Sequence, residues 1–154
     1  MLATFASTPG EAYFGTMSSK SADYFAIGVL CAGALAFGAF GVQWLLDPVA
    51  MASPLGIVLT NGDATSDARA VYGGMELGMA AFLLYSAASK DRRTQGLAAA
   101  ALSLFGLGTC RLIGIVLGQG VGAGTYQLLG TDLAGTTLCT VAFLVSRRAS
   151  NSDT

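Results

Sequence analysis

A chain of 154 residues with 53% hydrophobic and only 11% charged side chains cannot wrap a soluble core in polar surface, since an ordinary soluble domain carries about 25% charged residues. A mean hydropathy of +0.62 points to a bilayer, where apolar side chains face lipid instead of water. The net charge of −1 leaves no basic patch to displace counterions from phosphates, which excludes nucleic acid as a partner.

Residues 1–21 are mixed and polar, with Pro9, Gly10, Glu11 and Lys20. Their apolar portion is too short and broken for a signal-peptide core, and a flexible N-terminal tail is expected. Met17, followed by Ser-Ser-Lys and then the first long apolar segment, is a candidate translation start. A first helix is predicted over 23–46, which holds no charge between Asp23 and Asp47 and supplies the ~20 apolar residues of a membrane crossing. Ser21 or Asp23 caps its start. Asp47-Pro48 ends it, because the residue before proline is pushed out of helical geometry. Trp44, near that end, suits a membrane interface. Gly28, Gly33 and Gly41, with Ala32 and Ala36, offer small surfaces for close packing.

A loop follows over 47–66, whose apolar middle, 54–59, is too short to span and is expected at the interface or over the bundle. Asn61-Gly62-Asp63 signals a turn, and Ser66 or Asp67 caps a second helix predicted over 67–88. A charged turn over 89–94 leads to a third helix over 96–117. The glycine-rich run 118–124 lacks the lysine and strand context of a phosphate loop and reads as a flexible connector. A fourth helix is predicted over 126–146, with a polar tail over 147–154.

Lys and Arg in short loops mark the cytoplasmic side. Lys20, the Lys90–Arg92–Arg93 turn, and Arg147 with Arg148 carry them; the loops over 47–66 and 118–125 carry none. An all-α, four-helix transmembrane bundle over 22–146, in the inner (plasma) membrane with both termini cytoplasmic, satisfies every one of these positions.

This topology places four charges in the outer half of the bundle. Glu76 lies seven residues beyond Arg69, ~10 Å deeper and on the same helical face, with Tyr72 and Gly73 between them. Arg111 lies ~9 Å below the outer end of the third helix, and Asp132 sits near the outer start of the fourth. An unpaired charge at a helix centre costs ~2.5–3.5 kcal/mol, so pairing is expected: Glu76 with Arg111, and Arg69 with Asp132. Gly73 and the Gly74-x-x-x-Gly78 and Gly114-x-x-x-Gly118 spacings predict close backbone packing. The charged set either holds the helices in register or forms a pocket for an anionic or polar small molecule. Asp132, Thr136 and Thr140 form a stripe that either faces this pocket or bonds back to its own helix.

There is no histidine, which removes histidine-ligated haem, most zinc and copper sites, and the usual near-neutral proton shuttle. Cys31, Cys110 and Cys139 are scattered through apolar segments without a C-x-x-C pair, as packing residues are. No cofactor or metal is expected.

The motif Arg69-Ala-Val-Tyr-Gly-Gly-Met-Glu-Leu-Gly78, with Gly96-Leu and Cys110-Arg-Leu-Ile-Gly114, resembles a family of small bacterial four-helix membrane proteins of unassigned function. The likeness covers the four predicted helices and departs at Gly118-Gln-Gly120, where relatives carry Asp-Gly. A more distant similarity is to DoxX-like four-helix proteins, some linked to quinone or thiol redox systems; without a paired-cysteine motif that activity does not carry over. The residues themselves are read as a non-enzymatic membrane module that binds a ligand or partner. A transporter or channel component with Glu76 and Arg111 in a polar path, and an accessory subunit of a redox system, are the alternatives. The expected partners are the lipid bilayer and a second copy or a membrane subunit.

Overall fold

The computed structural model describes residues 18–118 and 121–152. The expected tail before residue 18, Met17 included, lies outside the described residues, as do Gln119 and Gly120 of the glycine-rich connector. Helix α1 spans Ser19–Leu46. It starts a turn earlier than Asp23 because the Ser18 carbonyl already accepts from the Ala22 N–H at 3.0 Å. Asp23 is not its cap. Its carboxylate pairs instead with Arg93 Nη1 at 2.9 Å and Lys90 Nζ at 3.9 Å, across to another helix.

Asp47-Pro48 ends α1 as expected, and it also begins the next element. Asp47 Oδ1 accepts from the Ala50 N–H at 3.0 Å and caps the short helix α2, Pro48–Ala52. Proline fits there because a first-turn N–H has no intrahelical partner. A 3₁₀ turn over Ser53–Leu55 follows and closes at Gly56, with φ +71°, which glycine adopts without steric cost.

Helix α3, Gly62–Ala68, begins before the expected Asp67 because Asn61 is the cap, its side chain accepting from the Ala64 N–H at 2.9 Å. A π-helical turn, Arg69–Gly74, runs on into α4, Met75–Ala87. These three pieces form one rod over 62–87.

Helix α5, Lys90–Leu117, contains the residues expected as a charged turn. Arg92 Nε donates to the Tyr85 carbonyl at 3.4 Å, and Arg93 Nε to the Ala87 carbonyl at 3.3 Å. The last carbonyls of α4 lack intrahelical donors, and these arginines reach back to them from the first turn of α5. Helix α6, Ala123–Ser152, likewise absorbs the start of the expected polar tail. There the Arg147 guanidinium lies 5.6 Å over the Phe143 ring, a neighbour one helical turn away.

The described residues thus form four long rods and one short helix, five helices where four were expected, and no strand. Three of the helices are long and apolar enough to cross a membrane: Ser19–Leu46, Lys90–Leu117 and Ala123–Asn151. The rod over 62–87 is interrupted by its π turn.

Helix α1 packs chiefly on the 62–87 rod, and α5 chiefly on α6. One apolar core, with Leu30, Leu83, Leu97 and Ala142 fully buried, joins all four rods near the Asp23–Arg93 end. A second core gathers Trp44, Ala52 and Ala68 near the far end of α1. Trp44 was expected at a membrane interface; it is buried under α2, stacked on Tyr72 at 4.5 Å and edge-on to Phe40 at 6.3 Å. An aromatic pair adds about 0.5–1.5 kcal/mol beyond area burial. Tyr72→Ala is therefore expected to cost about 1 kcal/mol and to shift the emission of the single tryptophan. Unchanged fluorescence and stability would contradict the stack.

On α1, Gly33 and Gly41 meet the 62–87 rod as expected and Gly28 meets nothing within 4 Å; of Gly73, Gly74, Gly78, Gly114 and Gly118, only Gly73 meets another helix. A Cβ on Gly73 would lie 3.3 Å from the Leu45 nitrogen and 3.4 Å from the Gly41 carbonyl, both on α1. At Gly78 and Gly114 it would meet nothing within 4 Å, and at Gly74 and Gly118 it would meet a carbonyl of its own helix. The four-residue spacing tells which residues share a face, not which face meets a neighbour.

Candidate functional site

Two close approaches build the site. On α5, Gly108 stands one turn before Arg111, and a Cβ there would lie 3.3 Å from Asp132 Cβ. Its missing side chain lets α6 come near enough for Arg111 Nε to donate to Asp132 Oδ2 at 2.8 Å. The Asp132 side chain is 7% exposed and that of Arg111 27%. On α1, a Cβ at Gly41 would lie 3.0 Å from Glu76 Cβ, so this glycine admits the stem of Glu76 between α1 and α4.

Glu76, Arg111 and Asp132 line one cavity of about 310 Å³ between the two helix pairs. Its remaining walls are mainly apolar and include Phe37 and Phe40 of α1, Leu83 of α4, Leu104 of α5 and Cys139 of α6. Ala32 and Ala36 of α1 and Thr131 and Leu138 of α6 line it and are exposed. The cavity therefore opens sideways at the α1–α6 seam. Glu76 is buried but makes no hydrogen bond or ion pair among the described residues.

This corrects both expected pairs. Glu76 does not bond Arg111, which is taken by Asp132. Arg69 does not reach Asp132; its Nε donates to the Leu45 carbonyl at 3.0 Å, in the last turn of α1, where carbonyls lack helical donors. Seven residues return to one face only at 3.6 per turn. The π turn between Arg69 and Glu76 is wider, so the two point to different neighbours. Tyr72 goes with Arg69, against Trp44, and does not line the cavity. Thr136 follows the internal alternative, its Oγ1 donating to the Asp132 carbonyl at 2.7 Å; of the stripe, Asp132 lines the cavity and Thr136 and Thr140 do not.

The expected balanced set of two positive and two negative charges is thus split. The cavity holds one ion pair, bonded through Arg111 Nε, and one carboxyl group outside that pair with acceptor capacity to spare. A mainly apolar space with a carboxyl group outside the ion pair suits a molecule with an apolar body and a hydrogen-bond-donating or cationic head. Gly41, Gly108 and the phenylalanines of α1 were not singled out for this site. The one available signal was a glycine one turn before a charged residue at 108 and 111.

An all-helical bundle with three spans apolar enough for a bilayer and ionisable groups inside it is the architecture of a small integral membrane protein. The chain belongs to a family described as a domain of unknown function, DUF4345, which matches residues 25–143. The match agrees with the resemblance to a small family without assigned activity and brings no DoxX link. Neither the curated proteins nor the solved structures give a match to the chain.

Proposed function

We propose that this is a four-pass protein of the inner membrane, with both termini cytoplasmic, whose bundle interior binds a membrane-dissolved amphiphile. The head of that molecule is a hydrogen-bond donor or a cation held at Glu76, and its apolar body lies along the cavity. The observation that carries this reading is the Glu76 carboxyl group, buried at the wall of a mainly apolar cavity and outside the Arg111–Asp132 ion pair. Ligand sites are mostly apolar spaces of ~300–1,000 Å³ with few polar groups, and buried intramembrane charges mark function by default.

Four crossings are supported by length, since the 62–87 rod reaches ~39 Å at ~1.5 Å per residue and a hydrocarbon core needs ~30 Å. The orientation is supported by Lys90, Arg92 and Arg93 in the first turn of α5, with Lys20 in the first turn of α1 and Arg147 and Arg148 in the C-terminal part of α6. Large apolar side chains turned outward, among them Leu35, Leu102 and Val116 at 70% exposure or more, suit lipid as the surrounding solvent.

The test is purification in a mild detergent with mass spectrometry of the small molecules retained. The wild type is expected to hold an amphiphile with an amine or hydroxyl-rich head, and Glu76→Gln to lose it. A hydrogen bond to a charged group is worth about 1.5–3 kcal/mol, so the loss corresponds to a roughly 10- to 150-fold weaker Kd. Identical retained molecules in both proteins would overturn the assignment.

A further inference from the structure

A second cavity, of about 290 Å³, lies at the α4–α5 seam, on the opposite side of the bundle from the first opening. Met75 and Met79 of α4 and Leu102, Gly106 and Cys110 of α5 line it. Met75 is 60% and Leu102 70% exposed, and Cys110 is exposed, so this cavity too opens sideways. Phe37, Glu76 and Leu107 border both cavities. Of these three only Glu76 is ionisable, so one carboxyl group serves two apolar slots that face opposite ways. A Cβ at Gly106 would meet nothing within 4 Å, which leaves the second slot open along α5. Methionine walls adapt to an irregular chain.

We propose that the molecule bound at Glu76 has two apolar arms, one in the central cavity and one in the α4–α5 slot, joined at a cationic or donor head. This rests on the reading of Glu76 as the head-group anchor. It narrows the ligand class from amphiphiles in general to two-chain amphiphiles drawn from the bilayer. A single-chain molecule would fill one slot and leave the other to lipid. A two-chain anion would set its charge against Glu76.

Cys110 reports directly on the second slot. The experiment uses the full chain with Cys31→Ala in phosphatidylcholine vesicles; Cys139 is buried, so Cys110 is the one exposed thiol. The probes are didodecylamine and, as the one-armed comparison, dodecylamine, with N-ethylmaleimide reading the accessibility of Cys110. Saturating didodecylamine is expected to slow alkylation roughly tenfold, in keeping with about 90% occupancy of the slot at ten times Kd. Glu76→Gln is expected to abolish the protection. Gly106→Phe, which fills the slot, is expected to weaken didodecylamine roughly tenfold more than dodecylamine.

Saturable, Glu76-dependent binding of didodecylamine without protection of Cys110 overturns the two-arm proposal and leaves the central site standing. So does an equal loss for both amines in Gly106→Phe. No saturable binding of either amine overturns the anchor at Glu76 and the two-arm proposal with it. Protection that survives Glu76→Gln overturns the shared head group.

Discussion

Arg111→Leu and Asp132→Leu are each expected to destabilise the protein by about 3 kcal/mol, at the low end of what a buried pair loses when one partner is removed. The low end applies because the Arg111 side chain is 27% exposed. Each single change leaves the other member without its 2.8 Å partner in a mainly apolar cavity. The double change Arg111→Leu with Asp132→Leu removes both groups and is expected to cost less than either single change, since replacing a whole buried pair by apolar side chains is often neutral. A double-mutant cycle measured by unfolding in mixed detergent micelles reads the difference as a coupling energy. The same cycle between Glu76→Gln and Arg111→Leu is expected to show much weaker coupling, because Glu76 shares the cavity but not the bond. Strong coupling there and none between Arg111 and Asp132 would reverse the assignment.

The second large effect concerns the approach of α1 to the 62–87 rod. Gly41→Val is expected to cost about 2–3 kcal/mol, the upper part of the range for overpacking. Its Cβ would stand 2.9 Å from the Gly73 carbonyl oxygen and 3.0 Å from Leu77 Cγ and Glu76 Cβ. The first of these is backbone and cannot step aside. Because Glu76 is one of the displaced neighbours, ligand retention is expected to fall with stability. Gly78→Val is the control. A Cβ there meets nothing within 4 Å, so the change is expected to stay within about 0.5 kcal/mol, as exposed substitutions away from special features do. Thermal unfolding of the two variants side by side decides the matter; equal stabilities would mean that α1 and the rod do not meet at Gly41.

Several local features were legible because each depends on neighbours in the chain. Asp47-Pro48 stops α1 through the restriction that proline places on the preceding residue, and the apolar runs are long enough to span wherever they sit in space. Helix boundaries depart from the expected ones where a polar residue has two possible uses. Asn61 was read as part of a turn and is a helix cap. Asp23 was read as a cap and is the partner of Arg93. Lys90, Arg92 and Arg93 read as loop because they are charged, yet they open α5, and the carbonyls that Arg92 and Arg93 satisfy belong to the end of α4. In each case the chemistry of the residue was evident and its partner was not.

The candidate site divides along the same line. The sequence by itself determined that Glu76, Arg111 and Asp132 are ionisable groups within apolar segments, at depths that let them meet, because rise per residue is a property of a single helix. Which group bonds which was decided by the tertiary structure. Pairing depends on the rotation of each helix about its axis and on how closely two backbones approach, and neither is encoded in spacing along one chain segment. Gly108 draws Asp132 to Arg111, Gly41 admits Glu76 without giving it a partner, and the π turn over Arg69–Gly74 aims Arg69 at the end of α1. The single unmatched carboxyl group, and with it the kind of ligand the cavity suits, is the product of those three contacts.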